Sequence, residues 1–89
     1  MAIELRDEVD KFSQAMEDKL RTLDEERGEA GWLNGSTTIA YLLAALEAEV
    51  RELRAGFSDC DQENVLEESV DVANFAMMIY SRVKQVQGE

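Results

Sequence analysis

From Leu5 to Leu23 the large apolar residues Leu5, Val9, Phe12, Met16, Leu20 and Leu23 return at steps of three or four, and no proline interrupts any of the 89 residues. Steps of that size place side chains on one face of an α-helix. A chain without proline that is rich in Ala, Glu, Leu and Arg has no imposed break inside such helices. The first helix is predicted to run to about Glu26. The stretch RGEAGWLNGS, residues 27–36, carries Gly28, Gly31, Asn34, Gly35 and Ser36, the composition of a loop that ends in a helix cap.

A second helix is predicted from Ser36 or Thr37 to Gly56, with the glycine as its C-terminal stop. Its apolar sector is Ile39, Leu42, Leu43, Leu46, Val50, Leu53 and Phe57. The following SDCDQEN, residues 58–64, suits a turn and the cap of a third helix, predicted from about Asp61 to about Gln85. On a wheel of about 100° per residue that third helix is apolar nearly all round, with only the line Glu67, Asn74 and Ser81 as a solvated edge. Two other helices from one short chain do not surround it easily. The expected fold is therefore all-α, a single domain over residues 1–89 whose three-helix subunit forms an oligomeric helical bundle, a homodimer or a homotetramer built as a dimer of dimers.

The composition is 45% hydrophobic and 33% charged, which is globular rather than disordered. A formal net charge of −11 repels a phosphate backbone and argues against nucleic-acid binding. Cys60, the single cysteine, forms no internal disulfide. No apolar run reaches membrane-spanning length, and MAIELRDEVDKF lacks the basic start and apolar block of a secretory signal. The expectation is a cytoplasmic protein with no membrane partner. The absence of histidine removes Ser-His-Asp and Cys-His nucleophiles, the usual zinc sites and the Glu-x-x-His pairs of di-iron bundles. Any metal held here is held by oxygen.

Two acid pairs stand out. Glu49 and Glu52 are three residues apart on the second helix, with Glu49 at the edge of the apolar sector; Glu68 and Asp71 repeat the step on the third, among Val72, Phe75, Met78 and Ile79. Carboxylates turned toward packing tend to take up a proton or find a cation. Four of them brought to one spot suit Mg²⁺, which prefers oxygen ligands and leaves positions open for substrate phosphates and water. The alternative is chance: with 20 acidic residues in the chain such pairs arise easily, and first-turn acids such as Glu67 and Glu68 also complement a helix dipole.

LEAEVRELRAG followed by VLEESVDVANFAMMIY resembles the paired E-x-x-E and E-x-x-D motifs of the MazG-like all-α nucleotide pyrophosphohydrolases. The likeness is close over residues 42–80, and GWLNGS with the preceding helix also fits the short, single-domain members of that group. The resemblance implies Mg²⁺-dependent cleavage of a nucleoside triphosphate, ribo or deoxyribo, to the monophosphate and pyrophosphate, in nucleotide-pool house-cleaning, with Mn²⁺ a possible substitute for Mg²⁺. It implies Glu49, Glu52, Glu68 and Asp71 as metal ligands and catalytic carboxylates, with Asn74 as a further polar contact in the site.

Lys19 flanks the stripe of the first helix and resembles a basic residue that short family members place before the loop. It is a candidate for phosphate binding, the alternative being a surface pair with nearby acids. Trp32 is the only tryptophan and could stack on a base or cover the pocket; the reading favoured from sequence is that it caps the core between the first two helices. Arg82 shares the angular sector of Glu68 and Asp71 but lies roughly 16 Å along the helix from Asp71, and is assigned to a neighbouring subunit or the surface. Met77, Met78 and Tyr80 are expected to fill helix interfaces. The competing account of the whole chain is a non-catalytic, dimerising helical module that offers its acidic face to a basic partner.

Overall fold

The computed structural model describes residues 4–27 and 37–88. The described residues form three α-helices and no strand: α1, Asp7–Arg27; α2, Ile39–Ser58; and α3, Gln62–Val86. Of the expected loop at residues 27–36, Arg27 is the last residue of α1, and residues 28–36, Trp32 among them, lie outside the described residues.

α2 and α3 each begin where a side chain can take over an orphaned backbone N–H. Thr38 caps α2, its hydroxyl accepting from the Tyr41 N–H at 3.0 Å, so the helix starts at Ile39, later than the predicted Ser36 or Thr37. Asp61 caps α3 through Oδ1, which accepts from the Asn64 N–H at 3.1 Å. Acidic Asp7, Glu8 and Asp10 occupy the first turn of α1, where negative charge meets the positive end of the helix dipole.

Gly56 is not the stop of α2. The helix continues to Ser58 and closes with the Asp61 N–H on the Gly56 carbonyl at 2.9 Å and the Cys60 N–H on the Phe57 carbonyl at 3.1 Å. These two bonds are the Schellman pattern, and the left-handed position it demands is taken by Cys60, with φ of 56°. Gly56 is buried for a different reason. A Cβ there would stand 2.7 Å from Asn64 Nδ2 on α3, so the bare Cα permits close approach at the base of the α2–α3 hairpin.

α1 and α2 each pack on α3 and, among the described residues, not on one another. Both run antiparallel to it. Met16 and Lys19 on α1 meet Asn74 and Asp71, so three residues forward on one helix is three back on the other. The chain is thus a single layer with α3 in the middle. Its Cα radius of gyration is 14.4 Å, against about 12 Å for a compact chain of this length, as an open layer requires.

This arrangement corrects several sequence expectations. Of the line Glu67, Asn74 and Ser81, Glu67 is exposed as expected, but Asn74 is buried against α1 and Ser81 is half-buried. The α1 stripe is half-buried only at Met16, Leu20 and Leu23, while Leu5, Val9 and Phe12 remain exposed. Met78 is buried and Met77 half-buried, but Tyr80 is 65% exposed, since no helix among the described residues covers that face. Arg82 is half-buried rather than a surface group, and its guanidinium donates to the Thr37 carbonyl, tying the start of α2 to α3. No helix among the described residues is long and apolar enough to cross a membrane.

Candidate metal centre

The antiparallel α2–α3 hairpin sets the site. With Gly56 opposite Asn64 and Thr37 near Arg82, the middle of α2 stands opposite the first half of α3, and Glu49 faces Glu68 and Asp71. One carboxylate oxygen from each of these three residues lies within 4.8 Å of the others. The acids thus converge from two helices, as the two three-residue steps suggested. Glu68 is only 8% exposed, whereas Glu49 and Asp71 are half-buried.

Such a cluster is electrostatically costly without a proton or a cation. The Glu49 carboxylate, in hydrogen-bonding position to Glu68, together with burial and the charges of Glu49 and Glu52, pushes the Glu68 carboxyl up to about 8. A proton on Glu68 relieves the repulsion between the two carboxyls. Even so, Glu49 Oε2 and Glu68 Oε2 are buried without a hydrogen-bond partner. Unsatisfied buried carboxylate oxygens that converge are acceptors in search of a donor or a cation.

The remaining predicted site residues divide. Glu52 is exposed and outside the group of three, yet close enough to Glu68 to help raise its affinity for a proton. Lys19 reaches across from α1 and pairs with Asp71, Nζ to Oδ1 at 3.4 Å, the two side chains 36% and 18% exposed. Asn74, 3% exposed, turns its amide toward α1: Nδ2 donates to the Met16 carbonyl at 3.3 Å, while Oδ1 is buried with no partner. Its visible role is to clamp α1 on α3.

Comparison with known protein families, with curated proteins and with solved structures finds no match to the chain. What stands is a small all-α protein with three helices among its described residues and a partly buried cluster of acids. The family resemblance rests on the sequence motifs alone.

The donor set suits a hard divalent cation. Glu49, Glu68 and Asp71 would hold the ion, each with a carboxylate oxygen within 4.8 Å of the other two, and side-chain rotation would have to draw these oxygens closer together to share it. An all-carboxylate set favours Mg²⁺ or Mn²⁺ over softer ions. One feature was missed in the sequence, the Asp71–Lys19 pair. Lys19 and Asp71 are 52 positions apart, and only the α1–α3 register brings them together.

Proposed function

We propose that the chain is a Mg²⁺-dependent nucleoside triphosphate pyrophosphohydrolase, yielding a nucleoside monophosphate and pyrophosphate. The observation that supports this most directly is the convergence of Glu49, Glu68 and Asp71 with two carboxylate oxygens left unsatisfied in the interior. A purely structural cluster would have each acid paired or turned to solvent. The reaction type comes from the E-x-x-E and E-x-x-D resemblance.

In this reading Glu49, Glu68 and Asp71 hold the cation, with Glu52 at the solvent edge of the centre. A Mg²⁺ ion held by these residues would supply charge neutralisation of the polyphosphate and activation of a water. In this reading Glu52, exposed beside Glu68, orients the attacking water and accepts its proton. The water oxygen bonds to the α-phosphorus, the bridge to the β-phosphorus breaks, and the bridging electrons leave with pyrophosphate. Lys19 offers the nearest basic side chain of α1 for the phosphate charge. No protein nucleophile takes part.

The functional unit in this reading is a homo-oligomer. Among the described residues only Leu42 and Met78 are buried apolar side chains, whereas Phe57, Leu66 and Tyr80 are each more than half exposed. Leu66 lines a groove with Phe57 and Val65 and another with Phe12, Ala15 and Val70, so apolar surface runs across all three helices. A second copy covering it would supply the core that one layer lacks.

The test is pyrophosphate release from a panel of ribo- and deoxyribonucleoside triphosphates, with Mg²⁺ and with chelator. Release with Mg²⁺, abolished by chelator and lowered at least about a hundredfold in Glu49→Gln and Glu68→Gln, is the expected result. A folded Glu68→Gln protein with full turnover would remove that carboxylate from the chemistry. No release from any triphosphate would move the reading to the non-catalytic acidic module.

A further inference from the structure

Lys19 is more than a neighbour of the acidic centre. Its ammonium stands 3.4 Å from an oxygen of Asp71, one of the three convergent acids. The approach is fixed by architecture rather than by one flexible side chain. One turn away the buried Asn74 amide holds the Met16 carbonyl, so the α1–α3 register sets Lys19 opposite Asp71. Both partners are partly withdrawn from solvent, which weakens screening of the pair relative to the exposed Lys11–Asp7 pair earlier on the same helix.

We propose that Lys19 is the resident counter-cation of the acidic centre and that a divalent ion must compete with it for Asp71. The inference rests on the metal reading of Glu49, Glu68 and Asp71 and adds the regulation of that site. While Lys19 pairs with Asp71, the centre offers an incoming cation one carboxylate already neutralised and a positive charge at its edge. Entry of the ion weakens the pair by repulsion between like charges, and the ammonium swings toward solvent on its flexible stem. There it meets the anionic phosphates that arrive with the metal. Lys19 thus makes the centre bind free metal weakly and couples full loading to the arrival of a phosphate ligand.

The sign separates this role from its natural rival. A lysine that merely orients Asp71 for the metal would, on removal, weaken metal binding. A competitor, on removal, strengthens it. The experiment is Mn²⁺ binding followed by electron paramagnetic resonance, without nucleotide, on the full chain and on Lys19→Met, Lys19→Arg and Lys11→Met. Methionine keeps the length and helix preference of the aliphatic stem, and circular dichroism checks the fold.

The expected result is Mn²⁺ affinity about tenfold higher in Lys19→Met and close to the parent value in Lys19→Arg. Lys11→Met, which makes the same change in net charge far from the centre, should also stay at the parent value. Equal or weaker Mn²⁺ binding in Lys19→Met overturns the competition while leaving the metal centre standing. An equal gain in Lys11→Met reduces the effect to net charge and overturns it as well. Absence of Mn²⁺ binding in all four proteins sinks the metal centre itself, and the role of Lys19 with it.

Discussion

Glu68 is where burial and charge meet most sharply, and its behaviour with pH follows from that. Its carboxyl, pushed up to about 8 chiefly by the Glu49 carboxylate and by burial, binds a proton more tightly in the folded chain than the ordinary value of 4.5. The groups facing it are Glu49 and Glu52 from α2 and, through Asp71, Lys19 from α1. A raised folded-state pKa gives a contribution that is complete below pH 4.5 and lost as pH rises through about 8. Metal-free protein should therefore lose stability across that window, with a slope of at most about 1.4 kcal/mol per pH unit from this group. Urea unfolding at a series of pH values checks it, and Glu68→Gln should flatten the slope. Cys60 gives a second residue-scale prediction. It occupies the left-handed position that favours glycine, so Cys60→Gly should raise unfolding free energy by about 0.5–1 kcal/mol. The acid pairs were legible in the sequence because three-residue steps on helices fix a shared face. Cys60 as the helix terminator was not, since Gly56 four positions earlier is the stronger local stop signal and only the α3 contact shows why a glycine is there.

At the scale of elements, helix type and extent were readable because caps and periodicity are local properties. The predicted third helix, about Asp61 to about Gln85, differs by one residue at each end from Gln62–Val86. Which face of α3 meets which helix was not readable. Asn74 looks like part of a polar edge on a wheel, and becomes a buried clamp only because α1 folds back onto it. Asn74→Ala should cost about 1 kcal/mol from the lost hydrogen bond and loosen α1 in particular. Hydrogen exchange should then rise across residues 7–27 more than in α2 or α3, and uniform acceleration would assign Asn74 to the general core instead. At the other end of α3, the close approach of Gly56 to Asn64 predicts that Gly56→Leu overpacks the hairpin base and costs about 1–3 kcal/mol in chemical denaturation.

The whole molecule is a layer with its site on one pair of helices and uncovered apolar surface on all three. The sequence argument for oligomerisation was the nearly all-round apolar character of α3; in the single chain Phe57, Leu66 and Tyr80 are each more than half exposed. Light scattering after size exclusion should give a dimer or tetramer, with Leu66→Glu shifted toward the single chain because a charge would be buried at the centre of the covered face. The claim on which the rest depends is that Glu49, Glu68 and Asp71 form one divalent-cation centre. It is tested most directly by the melting temperature in rising Mg²⁺, compared with NaCl at equal ionic strength, for the parent chain and for the Glu49→Gln, Glu68→Gln double variant. A ligand that binds only the folded state stabilises it by about 2.7 kcal/mol at a hundred times its Kd. The account predicts that Mg²⁺ raises the melting temperature of the parent well beyond the salt control and that the double variant shows only the salt effect. An identical rise in both proteins, or none beyond NaCl in the parent, would contradict it.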